Sequence, residues 1–296
     1  MQTYWCKSCN GRFRSERRSR EPRELWHRYV FGKQTVRELE EQTGYNKKTI
    51  FKYLDEYVVP EKSHTPRPIH LVVDATYFGT RKNKGSWGVI LFRDADQKEN
   101  LWWKYVPHET ALDYAEGKNF LLSLGYTILS VTSDGFLGLP RVFLDIPFQM
   151  CQFHMKQIVI RNVTTRPQTE AGKVILALAQ TLTKTREDIF TRRLEEFHTR
   201  YVSFLCERTT HPDGTWSYTH DGVRRAYLSL VSWSEYLFTY RKHESIPNTT
   251  NTCDGHFSHI KDVVRIHRGL VKPFKQRVLN SILLESTIAP KKKKKN

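Results

Sequence analysis

The sequence predicts an α/β fold: a mixed five-stranded sheet with an α-helical insertion, preceded by small basic and helical segments. Three observations carry that prediction. Apolar, β-branched runs recur from Ile69 to Cys151, separated first by short turns and then by helix-length stretches. A strong helical periodicity runs from Glu170 to Phe204. The chain before Glu61 is polar and basic at first and helical afterwards.

Taken in order, residues 1–23 hold Cys6-x-x-Cys9 followed by Arg12, Arg14, Arg17, Arg18, Arg20 and Arg23. The cysteine spacing is half of a zinc site, so this is a basic, partial zinc-ribbon-like segment. Residues 24–60 read as helices, with Leu25, Tyr29, Val36, Leu39, Ile50, Tyr53 and Leu54 at helical spacing. Within them Thr35 to Thr43, a turn at Gly44, and Asn46 to Tyr57 read as a helix-turn-helix. Lys47, Lys48, Thr49 and Lys52 lie on early exposed turns of the second helix, where a recognition helix meets base edges and phosphates. A plain helical hairpin has the same spacing. Residues 61–68, charged and containing two prolines, read as a linker.

The unit expected over 69–288 begins with a buried strand at Ile69 to Val73. Trp87 to Phe92 and Leu101 to Val106 are two more strands around the polar turn Asp94 to Asn100. Thr110 to Leu124 is helix-like, with Gly125 placed to end it. Thr127 to Thr132 is a fourth strand, Leu139 to Leu144 a short helix, and Phe148 to Cys151 a fifth strand. Short early connections suit antiparallel neighbours and the later crossovers suit parallel pairing. A three-strand meander followed by helix, strand, helix and strand is the ribonuclease H-like order. The last residues, 289–296, form a lysine-rich basic tail.

Composition narrows the partner. Hydrophobic residues make up 39% of the 296, enough for a sizeable core. Lys and Arg number 48 against 31 Asp and Glu, a net charge of +17 that points to a polyanion, with nucleic acid the leading partner. A merely soluble basic protein is the plainer reading of the same charge. There is no apolar run of about 18 residues and no signal-peptide pattern at Met1 to Cys9. Five cysteines do not read as a disulfide framework. The expected location is inside the cell, in the cytoplasm and at the nucleoid, with no membrane partner.

Asp74 is expected at the end of the first strand and Asp134 just past the fourth. Those strands are neighbours in the proposed order, so both carboxylates reach one edge of the sheet. Two-metal phosphoryl chemistry needs such a pair, because two divalent ions roughly 3.5–4 Å apart serve the attacking and leaving oxygens. Hard cations take carboxylate oxygens. Either aspartate alone reads as readily as a turn or cap residue; their joint placement in so basic a chain favours the metal reading. The third acid must come from a later helix. Asp254, in Asn251-Thr252-Cys253-Asp254-Gly255-His256-Phe257, suits the role, although an N-cap explains it equally well. Glu235 and Glu244 are the reserve candidates.

The strand ending in Asp74, the segment Ser133-Asp134-Gly135-x-x-Gly138-Leu139, Cys151-x-x-His154 with Arg161-Asn162 behind it, and Asn251 followed by Asp254-Gly255 together resemble the Mutator-type DDE transposases of bacterial insertion sequences. The match covers about residues 69 to 270. It implies metal-dependent cleavage of transposon-end DNA and strand transfer by the freed 3′-hydroxyl, with two magnesium ions that manganese can replace. Asp74, Asp134 and Asp254 carry over as catalytic metal ligands, and Cys151 and His154 as a signature that packs and positions near the site. The family usually has Glu at the third position; this chain has Asp. An α-helical insertion at about 165–245 is implied, holding Trp216 and Trp233. In related transposases such a tryptophan can stack on a displaced base; core packing is the simpler expectation for both. Similar transposases often begin with two cysteine pairs, so zinc at Cys6 and Cys9 would need an upstream pair or completion by Cys151 and His154. Arg14, Arg17 and Arg18 can bind phosphate without it. Pairing two DNA ends implies a homodimer or larger.

Two other functions fit parts of the pattern. One is a catalytically inactive, transposase-derived DNA-binding protein, which the half zinc site and Asp254 favour. The other is a ribonuclease H-like structure-specific nuclease such as a junction resolvase, which needs neither the helix-turn-helix nor the insertion.

Overall fold

The computed structural model describes residues 3–14, 21–79, 86–243, 245–267 and 269–285. Arg17, Arg18, Glu244 and the tail Lys291 to Lys295 lie outside the described residues. The described residues form two compact units: 63–257, and those up to Lys62 together with 258–285. Residues 258–285 of the stretch 69–288 therefore pack with the front helices.

At the front, β1 (Thr3–Trp5) and β2 (Arg12–Arg14) pair antiparallel around the Cys6-x-x-Cys9 turn. The turn closes with Cys6 N–H donating to the Gly11 carbonyl at 2.8 Å. Three helices follow: α1 (Glu21–Val30), α2 (Val36–Thr43) and α3 (Lys47–Glu56). Thr35 and Glu38 cap α2 reciprocally, satisfying two N–H groups that the helix cannot. Gly44, at φ 71°, ends it in the left-handed conformation that a side chain would resist. Asn46 then caps α3 by accepting from Thr49 N–H.

The larger unit is built on β3 (Pro68–Phe78), β4 (Trp87–Asp94), β5 (Glu99–Val106), β6 (Thr127–Ser133) and β7 (Phe148–Met150). Their order across the sheet is β5-β4-β3-β6-β7. β3, β4 and β5 run antiparallel, while β6 and β7 join parallel to β3. The crossovers are α4 (Ala111–Ser123) and α5 (Leu139–Val142), with α6 (Gln152–Val163) following β7. This is the ribonuclease H-like arrangement. β4 is buried along its whole length, which is why Val89-Ile90-Leu91-Phe92 is apolar without alternation. Asp94 makes the β4–β5 turn by accepting from Asp96 N–H and Gln97 N–H, and Arg67 binds Asp94 and Glu99 at 2.7 and 2.6 Å. α4 lies tight on the sheet at Gly117, where a Cβ would meet the Trp102 ring at 2.7 Å.

The first strand is longer than expected. It does not end at Asp74 but runs on to Phe78, paired to β4 as far as Trp87. Its pairing with β6, however, stops at Val73 opposite Ser133. Asp74 is thus the first residue past the parallel seam, inside a strand whose other edge remains hydrogen-bonded.

The insertion comprises α7 (Glu170–Gln180), α8 (Glu187–Cys206), a hairpin of β8 (Arg208–Thr210) and β9 (Trp216–Tyr218), α9 (Asp221–Trp233), a one-turn 3-10 helix (Ser234–Tyr236) and α10 (Thr239–Lys242). Trp233 is core, stacked on Phe148 at 6.3 Å and meeting Tyr236 edge-on. Trp216 is not: it is 51% exposed on the hairpin, with the Arg208 guanidinium 4.1 Å over its ring. The core-packing expectation fails there because the hairpin has solvent on that face.

α11 (Asn251–Ile266) and α12 (Lys272–Glu285) are the last elements among the described residues. α12 packs with α1 around Trp26, which is 1% exposed. Trp26 stacks on Tyr57, meets Phe274 edge-on, and donates to Ser281 Oγ at 2.9 Å. Among the described residues no helix is long and apolar enough to cross a membrane.

Candidate active site

The parallel seam places the first two acids. Val73 and Ser133 are opposite in register, so Asp74, still within β3, and Asp134, the first residue after β6, follow at one edge. Ser133 Oγ donates to the Val73 carbonyl at 2.9 Å, closing the last rung. Asp74 is 3% exposed, and its Oδ1 accepts from Ala75 N–H. Burial, and then the charge of Asp134, push its carboxyl well above the ordinary carboxylate range. Asp134 is raised as well, by burial first and by Glu109 second.

Asp254 reaches the same place from the far end of the unit. The loop before α11 is fastened to the sheet and to α6: the Pro247 carbonyl accepts from Thr132 Oγ1 and the Asn248 carbonyl from Gln152 N–H. The Thr250 carbonyl then takes Cys253 N–H and Asp254 N–H at 2.8 and 3.2 Å. Asp254 consequently sits inside the first turn and is not the N-cap. A second attachment lies on the next turn, where Asn100 Nδ2 donates to His256 Nε2 at 3.0 Å and the buried Arg93 Nη1 donates to Asn100 Oδ1.

Cys151 and His154 belong to this site. Cys151 caps α6 by accepting from His154 N–H, and its sulfur also accepts from Thr250 N–H at 3.3 Å. One turn in, His154 points Nε2 at Asp254 Oδ1, 4.0 Å away, while its Nδ1 meets Thr250 Oγ1 at 3.1 Å. Burial by itself would lower the His154 pKa; the bond to Cys151 and the charges of Asp74 and Asp254 outweigh it and raise the value to about 9.

Donor atoms of Asp74, His154 and Asp254 lie within 4.8 Å of one another, the only such group of three among the described residues. That span suits one divalent cation with ligands at roughly 2.0–2.2 Å after small side-chain rotations. Asp134 stands outside this group but close enough for its charge to act on Asp74. Glu235 is exposed on the 3-10 turn and does not join them. The sequence left two participants unmarked. Glu109, in the loop before α4, accepts from Tyr114 OH and acts on Asp134. Thr250 holds both Cys151 and His154. A glutamate in a loop and a threonine before a helix carry no distinguishing pattern.

The remaining candidates are in the other unit. Lys47, Lys48 and Lys52 line a shallow surface depression on α3 with Phe51, Asp55 and Glu56. Thr49 faces inward to its cap, donating to Asn46 Oδ1. Arg14 lies in β2. Cys6 and Cys9 share one turn, and a hydrogen bond with Ser8 chiefly pulls the Cys6 thiol down to about 6. No third metal-binding side chain joins them among the described residues.

No known protein-family profile matches the chain, and no curated protein matches it. Among solved structures it is similar to the Drosophila P element transposase strand transfer complex, with a TM-score of 0.43 and 8% identity over 90% of this chain and 93% of that one. It is also similar to a simian T-cell lymphotropic virus intasome in complex with the PP2A regulatory subunit B56 gamma, with a TM-score of 0.25 and 10% identity over 71% of this chain and 65% of that one. Likeness this distant adds nothing to the strand order, which by itself makes the chain ribonuclease H-like.

Proposed function

We propose that the chain is a DDE-type transposase that cleaves transposon-end DNA and transfers the freed strand. The observation that carries this reading is the meeting of Asp74 and Asp254, with Asp134 just past the end of the adjacent strand, at one edge of a ribonuclease H-like sheet. Asp74 feels the charge of both Asp134 and Asp254, which supports it as the ligand that two ions would share. Divalent cations bound there, magnesium or manganese, would supply activation of the attacking oxygen and stabilisation of the leaving one. The chain's own part is to hold the buried Asp74 beside the partly exposed Asp134 and Asp254, where their crowding favours any incoming positive charge. Its net charge of +17 attracts the DNA backbone, and the α3 lysines offer a helix face to a groove. The motifs that resemble Mutator-type enzymes support a bacterial insertion sequence as the source and paired DNA ends, hence a dimer or larger, as the working state.

Short labelled duplexes carrying the ends of its own element test the proposal. Magnesium-dependent nicking at the end is expected, and Asp134→Asn should abolish it. Binding without cutting in either magnesium or manganese would instead favour an inactive DNA-binding descendant, the reading that Asp in place of Glu at 254 supports. Replacing Lys47, Lys48 and Lys52 together by Ala should lower the slope of log K against log salt by about 2–3, at about 0.9 for each phosphate that the variant no longer neutralises. An unchanged slope would remove α3 from the DNA interface.

A further inference from the structure

We propose that His154 is itself a metal ligand, its Nε2 completing with Asp74 and Asp254 a site of two carboxylates and one imidazole that takes manganese ahead of magnesium. The inference rests on the metal reading of the cleft and not on DNA as the substrate.

Its first support is position. His154 belongs to the same 4.8 Å group as the two carboxylates, its Nε2 lies 4.0 Å from Asp254 Oδ1, and the ring is only partly exposed, at 23%. The second support is the tautomer. Thr250 Oγ1 has one proton and a sulfur acceptor in Cys151 at 3.5 Å. With that proton given to sulfur, the hydroxyl oxygen accepts from His154, which puts the imidazole proton on Nδ1. A divalent cation that displaces the remaining Nε2 proton would then meet the Nε2 lone pair on the side of Asp254. A ligating histidine characteristically has its other nitrogen held in this way, which fixes the ring and raises its basicity.

The Cys-x-x-His spacing acquires a physical sense from this. Cys151 is the N-cap of α6, and a residue three further on projects from the first turn toward the capped end. One sulfur therefore anchors the helix start, the Thr250 backbone and the Thr250 hydroxyl together. Asp254 reaches less far than a glutamate would, which leaves a coordination position for the imidazole. Magnesium demands oxygen and dehydrates reluctantly, whereas manganese accepts a nitrogen donor more readily.

Pulsed electron paramagnetic resonance of Mn2+ bound to the full chain decides the matter, because it reads nitrogen-14 in the first coordination sphere directly. Wild type should bind Mn2+ with a nitrogen coupling, and magnesium should compete poorly. His154→Gln should lose the coupling and weaken Mn2+ binding about tenfold or more. Thr250→Val, which keeps the side-chain shape, should weaken binding about tenfold, and Thr250→Ser should restore it. Melting curves of each variant confirm that it is folded. Bound Mn2+ without a nitrogen coupling in wild type, or a coupling that survives His154→Gln, would overturn the assignment and leave a carboxylate-only metal cleft. No Mn2+ bound at millimolar concentration would overturn both this proposal and the metal reading beneath it.

Discussion

Asp74→Asn is expected to give a protein that melts higher than the parent in EDTA and no longer nicks DNA. The two effects share one cause. The folded state holds the Asp74 carboxyl well above its ordinary value of 3.8, because it is buried and faces Asp134. The native protein therefore binds that proton more tightly than the unfolded chain does. Its contribution to stability is fully present below the unfolded value and is lost as pH rises through the folded one. Asparagine has nothing to ionise, so the melting temperatures should coincide in acid and separate as pH rises toward neutrality. A gain of about 1 kcal/mol corresponds to about 2–4 °C for a chain this size. Adding Mn2+ should raise the parent's melting temperature and leave the variant's unmoved, since a ligand stabilises only the state that binds it. Nicking should fall about a thousandfold or more, the loss of roughly 4 kcal/mol of transition-state stabilisation. A variant that melts below the parent at neutral pH would contradict the crowding described at the seam.

Trp26→Ala should produce the largest loss of stability in the front unit, about 3–5 kcal/mol. Trp26 is buried among Tyr57, Phe274 and the Arg277 guanidinium, and its N–H bonds Ser281. Removing the ring empties a space that α1, α12 and the end of α3 jointly enclose, and leaves the Ser281 hydroxyl without its donor. Trp26→Phe keeps an aromatic face for Tyr57 but not the hydrogen bond, so it should cost less than half as much. Because Arg277 also binds the Leu54 and Tyr57 carbonyls at 2.7 Å, loosening this core frees the end of the helix that carries Lys47, Lys48 and Lys52. DNA affinity should fall with stability. Denaturant titration followed by fluorescence checks the first claim, and a gel shift of the same variants the second. An alanine variant with the parent's midpoint would show that the ring is not part of a cooperative core.

The sheet is readable in the sequence because its boundaries are chemical. Asp94 folds onto its own backbone to make one turn, Thr110 and Asp113 cap α4 reciprocally, and Gly125, at φ 92°, lets the chain turn into β6. Asp74 misleads for the same reason: a carboxylate after three apolar residues reads as a stop. β3 nevertheless continues, since β4 still supplies hydrogen bonds on the other edge. Of the site, the two strand acids follow from strand order alone. Asp254 is visible in the sequence, but its place inside the helix depends on Thr250 taking the cap. The Cys151 and His154 pair is visible too, yet what it does depends on Thr250 from a distant stretch of chain. Glu109 leaves no such trace, because its relation to Asp134 exists only once β6 and the loop before α4 are side by side. Trp216 departs from expectation because aromatic content indicates burial only on average.

The rung at Val73 and Ser133 makes the sheet a measuring device. Neighbouring strands sit about 4.8 Å apart whatever their side chains, because the peptide hydrogen bond sets the distance. The backbones of two acids that step off the same rung therefore start about that far apart, and their side chains set the rest of the spacing. What the backbone fixes is the starting point of each carboxylate, not the carboxylate spacing itself. In the two-metal reading, substitutions elsewhere in the sheet leave that starting distance unchanged, provided that the parallel seam still ends at this rung.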